Sequence, residues 1–436
     1  MLFAGGAIAA DEDAPVSREE YNRVVEELKD LRGDIDDVLK KEGSATRSGE
    51  SGEQSGVLFG PTAPSYRGGV YDKPFLETKS TNVYLGGYFD IEYRNPENSK
   101  HDFRFHRLIP FIYGDIHERI RFATEIEFED GAEIEVEFAH LDFLFTDKIN
   151  LRGGVILDPL GKFNLIHDSP IRDLTDRPLV NQFVIPTTLR EVGVGFFGDL
   201  LPEEAEWELK YEAYATSGFK GLASDVGAGG PTITDSGLRN ARASKDRLDT
   251  RHFGDVNESF SGVGRISLSP LLGTEFGVSA HSGTYDEASD NLLTISAVDG
   301  LITLPEFTIA DIPVGPIELL GEGAYAAIER DGFAKASGVA DDMWGYYTQI
   351  NYHFMPQFLI DHAPWAFLPE STFTGVLRWG EIDLDGNERT RLTVGCNYRP
   401  IESVVFKFDY QFNDGKGSAP SSADDDAFLV SFASFF

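Results

Sequence analysis

From about residue 82 to residue 436 the chain runs through successive segments in which apolar and polar side chains alternate. Alternation at period 2 marks a strand with two unlike faces. The segment at 118–129 is the clearest, with Ile120, Phe122, Ile126 and Phe128 opposing Arg119, Arg121, Glu125, Glu127 and Glu129. The row of charges needs water, and the row of large apolar side chains needs an apolar medium. Nowhere does the chain supply the roughly 18 consecutive apolar residues of a spanning helix, and its mean hydropathy is -0.23. A spanning strand needs only alternate residues to be apolar. The pattern predicts an antiparallel transmembrane β-barrel.

Sixteen strands are expected, near 82–94, 102–114, 118–129, 133–145, 148–157, 189–197, 205–215, 260–270, 273–284, 292–304, 315–329, 344–355, 371–381, 389–399, 402–413 and 426–436. An even number suits a bacterial barrel. On the second strand Phe103, Phe105, Ile109, Phe111 and Tyr113 are set opposite Arg104 and His106. In the fourth, parity breaks after Ile134, Val136 and Phe138, which places a bulge near Ala139. Connections alternate in length. Long ones lie near 158–188, 216–259, 330–343 and 414–425, and most of the links on the other side are turns of a few residues. Met355–Glu370 and the tight Asp130–Ala132 break that rule. The final stretch, DAFLVSFASFF, is one more alternating strand, and pairing with the first strand would remove its edge.

Residues 1–10 look like the end of a secretory signal, an apolar run closing on small residues without a basic start. Residues 11–42 then carry a helix. Ser17 and Glu20 form a capping box, and Tyr21, Val24, Leu28, Leu31, Ile35 and Val38 recur at spacings of 3 and 4. That seam predicts a short coiled coil joining protomers, or a helix docked on the main domain. Residues 43–80, rich in Gly, Ser, Thr and Pro, read as a linker, and residues 81–436 as the barrel.

The net charge of -35 argues against a nucleic-acid partner. The single cysteine, Cys396, forms no internal disulfide and falls on the apolar row of its strand. None of the 9 histidines sits in a catalytic motif, so no enzyme activity is expected. No cofactor motif is evident. His167 beside Asp168 lacks a surrounding ligand set and reads as part of a hydrogen-bond network, so no metal site is expected either.

The block LDFLFTDKINLRGGVILDPLGKFN at 141–164, the loop HDSPIRDLTDRPLV at 167–180 and IPTTLREVGVGFFG at 185–198 resemble the phosphate-selective porin O and P family. GGYFD at 86–90, YRPIESVVFKFDYQF at 398–412 and Phe436 fit it too. The resemblance implies a sixteen-stranded barrel, usually trimeric, in the outer membrane of a diderm bacterium; the N-terminal helix is then expected in the periplasm. It also implies that the loop near 158–188 folds into the barrel. Phe163, Leu165, Ile166, Leu179, Val180 and Phe183 on that loop agree, since they need burial. Anion-selective members of the family line their constriction with basic residues. This chain departs from them, because its predicted inner rows lean acidic.

The candidate pore-lining residues are therefore of both signs. Arg104, Arg119, Arg121 and Arg152 project from neighbouring strands, while Glu125, Glu127, Glu129, Glu133, Glu135 and Glu137 cluster near the third and fourth. The loop adds Asp158, Asp168, Asp173 and Asp176, with Lys162, Arg172 and Arg177. Charge rings set selectivity through the local field, unless these groups neutralise one another. The expectation is a water-filled channel for small ions and polar solutes with a modest cation preference. An anion channel of the same fold, or an envelope tether built on the coiled coil, is the alternative.

Overall fold

The computed structural model describes residues 76–77 and 83–436, apart from 203–204, 220–236, 241–258, 287, 310–311, 337 and 417–420. The expected signal remnant at 1–10, the coiled coil at 11–42 and nearly all of the linker at 43–80 lie outside the described residues.

Sixteen strands close into one antiparallel barrel. In chain order they are β1 Val83–Pro96, β2 Asp102–His117, β3 Ile120–Glu129, β4 Glu133–Leu144, β5 Asn150–Leu157, β6 Arg190–Asp199, β7 Glu208–Thr216 and β8 Ser261–Leu271. The second half is β9 Thr274–Thr284, β10 Leu292–Leu304, β11 Ile317–Ile328, β12 Asp342–Phe354, β13 Thr372–Leu384, β14 Glu388–Ile401, β15 Val404–Gly415 and β16 Ala427–Phe435. Each strand pairs with the next, and β16 pairs with β1 from Ala427 opposite Pro96 to Phe435 opposite Tyr88. Closure leaves no edge to aggregate. At the seam Phe436 and Gly87 exchange backbone hydrogen bonds of 2.9 and 3.2 Å. A Cβ on Gly87 would lie 2.6 Å from the Phe436 ring and 2.7 Å from the Ile109 carbonyl oxygen, so only glycine fits there.

The two rows of each strand separate as the alternation requires. Phe103, Phe105, Val194, Phe196, Val278, Val298, Ile350, Leu377, Val394 and Phe408 are exposed on the outer wall. Asp90, Glu92, Glu137, Asp142, Arg152, Glu322 and Asp409 are buried within. Apolar outside and charged inside inverts a soluble protein and suits a wall between lipid and water. Around the rim where β1 begins and β16 ends, aromatic rings form a chain. Tyr352, Phe354, Phe373, Tyr398, Phe406, Phe432 and Phe89 touch in succession, with centroids 4.7 to 6.5 Å apart. Such a girdle sits at a membrane–water interface.

Three local expectations are corrected. In β2 the register shifts between Asp90 and Ile91, whose partners are Arg107 and Phe105, so His106 is an inserted residue. The insertion flips the parity. Ile109, Phe111 and Tyr113 therefore face inward with His106 and Arg107, while Phe103 and Phe105 stay outside. The bulge in β4 is at Glu137, between partners Phe138 opposite Glu125 and Val136 opposite Ile126, rather than at Ala139. Arg119 is exposed in the turn between β2 and β3 and does not line the wall. The β10–β11 link is also more than a turn, since it carries a small hairpin, Phe307–Ile309 with Ile312–Val314.

Candidate functional site

Residues 158–189, between β5 and β6, fold into the lumen. Proline and glycine break the strand as it leaves β5, and Gly161 holds a left-handed φ of 68° as the chain turns inward. The root is tied by one side chain. Asn164 Nδ2 donates to the carbonyls of Asp158 and Leu189 at 2.8 and 2.9 Å, and its Oδ1 accepts from Leu189 N at 2.8 Å. Two short helices follow, α1 Lys162–Leu165 and α2 Leu179–Phe183.

One flank of the loop is apolar. Leu160, Leu179, Val180, Val184, Ile185 and Leu189 pack with Val263, Ile295, Met343, Tyr347 and Ile382 from the wall in one buried cluster. Burying side chains of this size is worth about 1.5–3 kcal/mol each. Leu165 joins a second cluster with Ala123 of β3 and with Tyr113 and Phe138, which the β2 and β4 bulges turn inward. Glu322 of β11 reaches across to accept from Phe163 N at 2.9 Å and from Asn181 Nδ2 at 2.6 Å.

The opposite flank is polar. Asp173 accepts from Gln349 and Asn351 at 2.9 and 2.8 Å. Asp176 meets Arg94 at 2.6 Å, Gln411 at 2.9 Å and Arg391 at 3.4 Å. Burial alone would raise the Asp176 carboxyl, but the Arg94 and Arg391 guanidinia outweigh it and hold the group well below the usual carboxylate range. The loop's backbone carbonyls are gripped as well: Lys407 donates to Ser169 O, Arg399 to Pro170 O and Arg378 to Asp176 O, at 2.6, 2.7 and 2.8 Å. The loop thus bears on the wall from β9 round through β16 to β1 and β4.

Most of the sequence-predicted charges are here, and they are paired. Arg152 makes a bidentate bridge to Asp142 at 2.7 and 2.9 Å. Glu127 meets Arg107 at 3.3 Å, and Glu135 pairs with Arg190. Arg121 meets Asp115 at 3.3 Å. Glu125 is buried on the inner face, and Asp168 is buried at a turn whose carbonyl accepts from Ile171 and Arg172. Arg172 donates to Ser169 Oγ and Thr175 O, both at 2.7 Å, and Arg177 to Thr187 O. Arg104 sits apart, holding Asp130 at 2.8 and 3.0 Å on the tight loop between β3 and β4. His167 is in a hydrogen-bond network, between Asn164 O at 2.9 Å, Thr188 Oγ1 at 3.0 Å and Glu137 at 3.3 Å. A small gap remains beside α2, lined by Asp176, Arg177, Arg378, Arg391, Thr393 and Gln411.

Arg94, Arg378, Arg391, Arg399 and Lys407, which receive the loop, are not among the charges expected to line the lumen. A signal existed for one of them: Lys407, Asp409 and Gln411 form the polar row of β15, opposite Phe406, Phe408, Tyr410 and Phe412.

No protein-family model matches the chain. An uncharacterized protein of Aquifex aeolicus is 27% identical over 359 residues, covering 77% of this chain and 76% of that one. Among solved structures, an anion-selective porin from Comamonas acidovorans aligns over 82% of this chain and all of its own, at 10% identity and a TM-score of 0.50. OmpF of Salmonella typhi, in complex with daunomycin, aligns over 83% and 100%, at 10% identity and a TM-score of 0.51. The fold is that of an outer-membrane porin. Identities this low speak for the fold alone.

Proposed function

We propose that the chain is an outer-membrane porin, a passive channel for small ions and polar solutes narrowed by loop 158–189. One observation carries the reading: a closed barrel with an apolar outer wall and a charged inner wall has an irregular loop seated across its lumen. Irregular backbone at membrane depth is tolerated where it is buried in protein or lines water. The reading includes a homotrimer, a periplasmic N-terminal helix and no catalysis. The likeness to the phosphate-selective O and P family enters it through the 141–198 block.

The sign of selectivity has two readings. The cation preference expected from the sequence rests on the acidic total and on the glutamates of β3 and β4. In the structure Glu127, Glu135 and Glu137 face Arg107, Arg190 and His167, and the gap beside α2 sets Arg177, Arg378 and Arg391 against Asp176 alone. That lining favours anions and supports the anion channel as the second reading. Reversal potential across a KCl gradient in a planar bilayer, with and without phosphate, separates them. A K⁺ bias supports the first, and a Cl⁻ bias blocked by phosphate supports the second. Absence of conductance from the folded barrel sinks both and favours the tether.

A further inference from the structure

Two carboxylate–histidine trios are buried in the barrel, and they differ in one respect. Around His106 the carboxylates of Asp90 and Glu92 lie 3.0 and 2.9 Å from Nδ1, and Arg172 stands 3.7 Å from Asp90. That trio has guanidinium groups beside it, Arg172 at Asp90 and Arg94 at Glu92. The other trio, Asp158, Glu191 and His281, is at the root of loop 158–189, and each member is 1% exposed or less. Its ligand atoms all fall within 4.8 Å of one another. Both Asp158 carboxylate oxygens, Glu191 Oε1 and His281 Nδ1 are buried without a hydrogen-bond partner, and His281 Nε2 stands 3.4 Å from Glu191. Among the described residues no Lys or Arg forms an ion pair with either carboxylate. Two buried carboxylates without a counter-charge are costly.

We propose that Asp158, Glu191 and His281 bind one divalent cation of the Zn²⁺ or Mn²⁺ class, which ties the root of the loop to β6 and β9. A dication balances the two carboxylates. One imidazole among oxygen ligands selects transition metals over Mg²⁺ and Ca²⁺. Bonds of about 2.0–2.2 Å put ligand atoms roughly 3.4 Å apart in a tetrahedral site, so the trio has only to close slightly. Phe219 packs edge-on against the His281 ring, centroids 5.1 Å apart, and orients it. The proposal does not rest on the channel reading.

The test uses the full chain folded in detergent, stripped with chelator, loaded with Zn²⁺ or Mn²⁺ and freed of unbound ion by gel filtration. One ion per chain is expected, with retention reduced at least tenfold in Asp158→Asn and His281→Gln but kept in His106→Gln. X-ray absorption at the zinc edge of the unsubstituted protein gives a readout independent of any variant's folding. It should show one imidazole nitrogen among oxygens. No retained ion, two or more imidazoles at the metal, or equal retention in the Asp158 and His281 variants overturns the site.

Discussion

Asp142 and Arg152 show what a charge inside this barrel does. Both are buried, and the guanidinium fork takes both carboxylate oxygens while stacking over Phe197 at 4.5 Å. Removing Asp142 leaves Arg152 only the more distant Glu212, at 3.6 Å, at a cost of about 3 kcal/mol, the low end for breaking a buried pair. Asp142→Ala should lower the guanidinium midpoint of the detergent-folded barrel accordingly, and Asp142→Ala with Arg152→Ala should recover part of the loss. Tryptophan fluorescence reads both. Gly87 is a different case, since its substitution adds atoms where there is no space. Gly87→Ala drives a methyl into the Phe436 ring and a carbonyl oxygen. The expected cost is about 1–3 kcal/mol, visible as less heat-resistant barrel on a gel. Asp176 contributes a pH dependence in acid. Its folded carboxyl titrates below its unfolded value. Its contribution is therefore complete above about pH 3.9 and is lost as pH falls through the lower folded value. The Asp176 anchor should therefore persist down to about pH 4 and give way only in stronger acid, whereas Asp176→Asn should raise conductance at every pH above that.

At the scale of elements, strands were the legible part and bulges the partly legible one. A strand announces itself through its own residues, so segments such as 292–304 and 389–399 fall within two residues of β10 and β14. The β4 bulge left a trace because Leu141 and Phe143 resume an alternation out of step with Ile134 and Val136. The β2 bulge left none. Ile109, Phe111 and Tyr113 are apolar on either side of the wall, and nothing in their own row tells lipid from loop. Burial of the loop was legible from Leu179 and Val180, yet its far partners were not, because contact across a lumen has no local signature. Arg94, Arg378 and Arg391 read as further charges facing water until the loop is placed against them. The polar flank can be loosened without touching the apolar one. Asp173→Ala with Asp176→Ala removes the side-chain acceptors for Gln349, Asn351, Arg94 and Gln411. Single-channel conductance should rise several-fold while the barrel stays folded.

For the whole molecule, the proposed trimer and the seam of Tyr21, Val24, Leu28, Leu31, Ile35 and Val38 make one connected prediction. Deleting residues 11–42 should convert detergent-soluble trimers to monomers by light scattering if the seam joins protomers. If it anchors the barrel elsewhere, trimers persist and the barrel detaches from other envelope components. The loop carries a consequence in time. Thr175 bonds Asp409 and Ser431, 234 and 256 residues further along the chain, and Ser169 waits for Lys407, 238 residues on. Contacts of such separation form late. Part of the grip on residues 169–176 comes from β15 and β16, the last strands to be laid down, so those contacts wait until the sheet nearly closes. Fixing the polar tip of the loop against those two strands is thus a final event of assembly. A chain halted before that event would leak more than the finished protein does.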